Sequence, residues 1–411
     1  MKMKEYVAKR SRHGVSKTDI IAINSMAQKE ASQGFDVINA SIGTYLDDDK
    51  KVGSVDLVKT ALKEHVTDNL GYPNSIGNQD YLDGVMKFVF ADKLSLIQSF
   101  YHPFIGSTLG GTGALSIAFQ LFLEEGEAVL LPDVMWTNYM LIADKAHATY
   151  MTYKMFNEKG GMDLTSLKET IQKAREQYHH VLVVINDPCQ NPTGYCMTKE
   201  EYDELFQLLN EEGRKGYLTA LFDIAYISFF HVENEKCVLI DKLSQGKTDF
   251  LPLVIFSCSK LFGLYGLRLG AMIALCPNEE NKEEVKRGFG AIARGTYSVA
   301  NGPCQYAVSK VLLDEGKTQE LLSEVQRNSD DLYSRSKVLM EELQKAHIEY
   351  YPYKSGFFIS LKIDDAFKVS EELRKQHMFV VPMNDHSIRL AISGMTKDEI
   401  SRLIQAFAKL K

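Results

Sequence analysis

Phe256-Ser257-Cys258-Ser259-Lys260-Leu261-Phe262-Gly263-Leu264-Tyr265-Gly266-Leu267-Arg268 decides the fold and the chemistry of this chain. It continues Leu253-Val-Ile-Phe256, an apolar run of the length of a buried strand. Lys260 therefore stands at a strand's carboxyl end, where open α/β sheets bind their ligands. Apolar surroundings disfavour the ammonium form and pull a lysine below its free pKa near ~10.4. A partly neutral amine attacks carbonyls and forms a Schiff base. Arg268, beyond the turn containing Gly263 and Gly266, has the planar fork that clamps a phosphate. A phosphorylated aldehyde explains both cations. A surface lysine on a glycine turn is the plainer alternative, and the segment alone does not choose between them.

Outward from this stretch, Ala128-Val-Leu-Leu131, Val181-Leu-Val-Val-Ile185, Leu218-Thr-Ala-Leu-Phe222 and Ala271-Met-Ile-Ala-Leu275 also read as buried strands. Helical patterns lie between them. Ala114, Ile117, Ala118, Leu121 and Phe122 share one face, and Thr198 with Glu201 forms a capping box before Tyr202, Leu205 and Phe206. Alternation of this kind predicts an α/β fold whose large domain has a mostly parallel sheet flanked by helices. The last ~90 residues differ: charged helical segments near 317–345, strand-like Phe357–Leu361 and Ser387–Ile392, and a final helix opened by Thr396 and Glu399. They predict a smaller α+β domain. The expected division is an N-terminal segment, 1–48, packing with the small domain, a large cofactor-binding domain, 49–315, and a small domain, 316–411.

Composition narrows the class. The 411 residues are 45% hydrophobic and 25% charged, which excludes disorder as the main state. Net charge is −7, too acidic for a phosphate-backbone partner, so no nucleic acid is expected. No apolar run reaches the ~20 residues of a membrane helix, and Met1-Lys2-Met3-Lys4-Glu5 has no apolar region behind it to make a secretory signal. The six cysteines form no CxxC and no zinc spacing with histidine. Reduced thiols, no metal and a cytoplasmic location are the expectations. The run Asp47-Asp-Asp-Lys-Lys51 reads as a solvated loop.

Other residues at strand ends carry chemistry. Asp223 closes the run Leu218–Phe222, and a buried acid there needs a cationic partner, such as a pyridinium N–H. Tyr226, three residues on, can donate to a ring oxygen. Asn191-Pro192-Thr193-Gly194 offers an amide at the same sheet edge, or is a plain turn. Gly110-Gly111-Thr112-Gly113 opens a helix whose free N–H groups suit phosphate. Trp136, the single tryptophan, either stacks on an aromatic ring or packs in the core. Arg389, in Ile388-Arg-Leu-Ala-Ile392, either meets a carboxylate or faces water from a half-buried strand.

In this order and spacing, from Ile42-Gly43 to Met395, the chain resembles the class I (fold-type I) aminotransferases that use pyridoxal phosphate, in their aspartate and aromatic branch. The resemblance implies catalytic roles for Lys260, Asp223 and Tyr226, with Lys260 holding the cofactor and later moving the substrate's α-proton. It places Asp223 on the pyridine nitrogen and Tyr226 and Asn191 on the ring oxygen. Gly111, Thr112, Ser257 and Arg268 fall on the phosphate, and Trp136 on the ring face. Tyr72, in Gly71-Tyr72-Pro73, matches a tyrosine that reaches the phosphate from the neighbouring subunit, which implies a homodimer with shared sites. Ile42, Gly43, Asn191, Trp136 and Arg389 match positions around the substrate, Arg389 gripping its α-carboxylate.

The implied reaction is ping-pong transamination between an amino acid and a 2-oxo acid such as 2-oxoglutarate. Arg294 aligns with the arginine that crosses from the partner to bind a side-chain carboxylate, which favours aspartate and glutamate. An aromatic-amino-acid aminotransferase and a lyase on the same scaffold are the alternatives. Four departures bear on substrate choice and ring tuning: Tyr139 where the dicarboxylate enzymes usually carry a histidine behind the aspartate, Val134 and Met135 widening the approach to Trp136, Val299-Ala-Asn-Gly-Pro303 after Arg294, and Leu46 where many relatives carry a charge.

Overall fold

The computed structural model describes residue 6, residues 19–232 and residues 235–410. The start of the chain, on which the expected lack of a secretory signal rests, lies outside the described residues, as does most of 1–18. All five apolar runs form strands of one seven-stranded sheet. Its order is His102–Thr108, Gly270–Cys276, Leu251–Ser257, Leu218–Asp223, Val181–Asn186, Ala128–Pro132 and Thr149–Tyr153. Six strands run one way and Gly270–Cys276 runs against them. The sheet is thus mostly parallel, as expected. Alternate residues of each central strand enter separate cores on the two faces: Val181, Val183 and Ile185 on one side, Leu182 and Val184 on the other. Burial of both faces explains why these strands read as unbroken apolar runs.

Two strands of this sheet went unread in the sequence. His102–Thr108 contains Pro103 and Gly106, and Thr149–Tyr153 is a polar edge strand with Thr149, Tyr150 and Thr152 exposed. Neither shows the all-apolar pattern of a central strand.

A second lobe holds the antiparallel sheet Val381–Asn384, Ser387–Ala391, Phe358–Lys362, covered by the helices Glu315–Ala346 and Lys397–Leu410. Both expected capping boxes form: Thr198 with Glu201, and Thr396 with Glu399. Ile38–Asn39 pairs in parallel with Met378–Phe379, so chain from near the start lies on this lobe. The run Asp47–Lys51 is largely exposed, as expected of a solvated loop, and is also charge-paired. Asp48 pairs with the fully buried Arg335, and Lys50 pairs with Glu399 and donates to the Gly394 carbonyl. Charge pairing makes it a strap between turn and lobe.

Candidate active site

The carboxyl ends of the six like-directed strands open on one mouth of the sheet, and the reversed strand contributes its start there. Register fixes who meets whom: Asn186 lies beside Asp223, Asp223 beside Ile255, and both Ser257 and Thr108 beside Gly270. Asp223, Ser257, Lys260, Arg268 and the Gly110 turn are therefore brought together by strand pairing.

Ser257 caps the short helix Cys258–Leu261 by accepting from the Ser259 N–H, which sets Lys260 on its last turn. The Lys260 amine is enclosed by the rings of Tyr265, Phe357 and Tyr226, 4.6, 5.8 and 5.9 Å from their centroids. It donates to the Gly43 carbonyl at 2.5 Å. Burial, then the charges of Arg389 and Arg268, draw its pKa down to about 7. The surface-lysine alternative is thereby set aside.

Arg268 takes the left-handed conformation at φ 54° and donates through Nη1 to the Ser259 hydroxyl and the Tyr265 carbonyl. Its guanidinium lies against Gly110, where an added Cβ would stand 2.5 Å from Nη2. Gly110 opens the helix Gly110–Phe122 at φ +71°. A helix start and a guanidinium at one point make a cradle for an anion. Gly111 and Thr112 belong to the same first turn, and Gly111 faces the Ser257 side chain.

Asp223 is 6% exposed. The Tyr139 hydroxyl donates to its Oδ2 at 2.7 Å and the Ala225 N–H to its Oδ1 at 3.2 Å. Burial raises its pKa against these two hydrogen bonds. Tyr226 is buried beside it, its phenol pushed up by burial and by the Asp223 charge. Trp136 is half-buried and meets Tyr139 edge-on at 5.3 Å, with centroids and planes at 82°.

Asn191 and Thr193 are buried, so the Asn191–Gly194 tetrapeptide is not a plain surface turn. Arg389 lies in a strand buried along its whole length and is 2% exposed, which excludes the water-facing alternative. It donates to the Ser41 carbonyl and to Asn191 Oδ1, stacks over Phe358 at 4.6 Å, and keeps Nε without a partner. Burial lowers its pKa to about 10, so it stays charged at neutral pH. Ile42 and Gly43 lie in the irregular passage between Ser41 and Tyr45 that crosses the mouth.

Two expected residues are not brought to this cluster by the chain itself. Tyr72 is 92% exposed, and Arg294 is exposed on the helix Glu279–Thr296. The Gly71–Pro73 stretch packs instead on Gly302, within the Val299–Pro303 segment. Sequence reading missed Ser259 and Tyr265. Their spacing around Lys260 was the available signal. It also missed the Ser41 and Gly43 carbonyls, which carry no residue-type signal at all.

Fold and site define an α/β enzyme whose amine, carboxylate and guanidinium groups converge at the carboxyl end of its sheet. Residues 36–407 match the model of the aminotransferase class I and II family, and the chain belongs to that family. Aspartate aminotransferase of Haemophilus influenzae is 27% identical over 385 residues, covering 91% of this chain and 93% of the relative. A solved aminotransferase from Anaerococcus prevotii superposes with TM-score 0.90 at 26% identity, covering 99% of both chains. An aromatic-amino-acid aminotransferase from Burkholderia pseudomallei, solved covalently bound to pyridoxal phosphate, shares the fold with TM-score 0.78 at 21% identity, over 98% of this chain and 100% of its own. The chain is thus an aminotransferase. Among the described residues no helix is long and apolar enough to cross a membrane.

Proposed function

We propose that this enzyme moves the α-amino group between an L-amino acid and a 2-oxo acid such as 2-oxoglutarate, with aspartate and glutamate as favoured donors and pyridoxal phosphate as cofactor. The observation that carries the reading is the convergence of a near-neutral Lys260 with a buried Arg389 whose Nε has no hydrogen-bond partner. The residues fit the cofactor. Asp223 is a buried carboxylate with only neutral donors, and it suits a protonated ring nitrogen. Gly111, Thr112, Ser257 and Arg268 suit the phosphate, Tyr226 and Asn191 the ring oxygen, and Trp136 the ring face. When bound, the cofactor supplies an aldehyde and an electron-withdrawing ring that eases loss of the substrate's α-proton.

The chain's own residues do the rest. Arg389 holds the α-carboxylate through its fork and so fixes which bond at the α-carbon faces Lys260. Lys260, once free, takes and returns the α-proton, a task suited to an amine titrating near neutral pH. Tyr226, Tyr265 and Phe357 keep water from that amine. Tyr72 and Arg294 act, in this reading, from the second subunit of a homodimer. Their exposure supports this, and Arg294 then selects the side-chain carboxylate. The large and small domains are taken as 49–315 and 316–411, with 1–48 belonging to the latter. An assay of amino donors with 2-oxoglutarate tests the reading: glutamate must form fastest from aspartate. Faster turnover of aromatic donors moves the enzyme to the aromatic branch. Ammonia or carbon dioxide released without an acceptor makes it a lyase.

A further inference from the structure

We propose that Tyr139 is a positioning residue that keeps Asp223 an anion aimed at the ring nitrogen of the cofactor, an inference that rests on the function proposed above. Tyr139 is 1% exposed and stands in the first turn of the helix Asn138–Lys145, with its hydroxyl 2.7 Å from Asp223 Oδ2. The only other donor to that carboxylate among the described residues is the Ala225 N–H, on the opposite oxygen. Among the described residues no lysine, arginine or histidine shares the charge. A buried carboxylate stays ionised only while its oxygens accept hydrogen bonds or meet a cation. A phenol supplies a hydrogen bond and adds no charge. Burial and the Asp223 charge hold its proton firmly, so it remains a donor at neutral pH. An imidazole in the same place can take up a proton and then competes with the ring nitrogen for the carboxylate. The Tyr139–Asp223 pair instead presents a full negative charge to one cation, the protonated ring.

Without the hydroxyl, Oδ2 is left desolvated and unpaired, which favours protonated Asp223. A neutral acid has little attraction for a protonated ring, yet it leaves the phosphate and ring-face contacts intact. The test is a titration of cofactor-free protein with pyridoxal phosphate and with 1-deazapyridoxal phosphate, which has carbon in place of the ring nitrogen. Trp136, the single tryptophan and Tyr139's neighbour, reports binding by fluorescence. Tyr139→Phe is expected to weaken pyridoxal phosphate about 10-fold or more and the deaza compound less than about 3-fold. Tyr139→Gln returns an uncharged donor and is expected to restore preference for the nitrogen-containing ring. Equal losses for both compounds in Tyr139→Phe, or no loss for either, overturn the proposal. If Tyr139→Phe does not fold, absence of that preference in Tyr139→Gln overturns it. Wild-type protein that binds neither compound overturns the functional reading itself, and this proposal falls with it.

Discussion

The Lys260 amine and the Gly43 carbonyl, 217 residues apart in sequence, meet at 2.5 Å across the mouth of the large sheet. The same passage gives the Ser41 carbonyl to Arg389, and the Tyr45 N–H donates to the Tyr265 hydroxyl at 2.8 Å. Backbone from near the chain's start thus engages both cations on which the proposed reaction depends.

Lys260→Ala is expected to lower transamination at least about 10³-fold, because the group proposed to move the α-proton is gone. Wild-type protein given pyridoxal phosphate should show a visible absorption band that the variant lacks. Far-ultraviolet circular dichroism should show both folded. Activity retained by the variant refutes the role.

Burial of Lys260 also sets a pH dependence of stability. The amine titrates near 7 in the folded protein and near 10.5 when free. Between those values the unfolded chain holds the extra proton, so stability rises with pH across that window and the penalty is fully present below pH 7. In cofactor-free protein, the urea midpoint of wild type relative to Lys260→Met should climb from pH 7 to pH 10. A constant difference places the amine in water.

Arg389→Lys keeps a cation but loses the planar fork. It is expected to lower kcat/KM about 10²-fold or more for every amino and oxo acid tested, because the α-carboxylate is common to all. Steady-state kinetics on aspartate and phenylalanine should show similar losses. Arg294→Ala should behave differently, with a loss about 10-fold larger for aspartate than for phenylalanine. Equal effects remove Arg294 from substrate selection.

Gly110→Ala places a methyl group 2.5 Å from Arg268 Nη2 at a backbone φ of +71°. Strain alone is expected to cost about 1 kcal/mol or more. Displacement of the guanidinium should also weaken pyridoxal phosphate more than pyridoxal, which lacks the phosphate. Binding titrations with the two compounds check this, and equal losses argue for a purely structural glycine.

Much of the site was legible because its residues terminate unbroken apolar runs. Asp223 ends Leu218–Asp223, and Lys260 follows Leu251–Ser257 by three residues. A polar group in such a place stands out, and burial on both sheet faces made the runs unmistakable. Arg389 was visible as a charge inside an apolar strand, but its side was not, since alternation allowed either face until packing in the second lobe was known. The strand Thr149–Tyr153 escaped notice because an edge strand buries too little to need apolar residues. The contacts of Ser41 and Gly43 escaped for another reason: a carbonyl is present in every residue, and only the path of the chain selects which one reaches a lysine. Tyr139 was legible as a departure, whereas its bond to Asp223 depended on the placement of a helix that the sequence does not fix.

The reversed strand Gly270–Cys276 has a further consequence. Because it runs against its neighbours, the chain needs no crossover helix to come back to the mouth. The lysine and the arginine eight residues later ride on a single hairpin. Their separation is therefore set first by a local bend. Evolution can reshape the surrounding loops freely, but an insertion inside that bend would part the two charges at once.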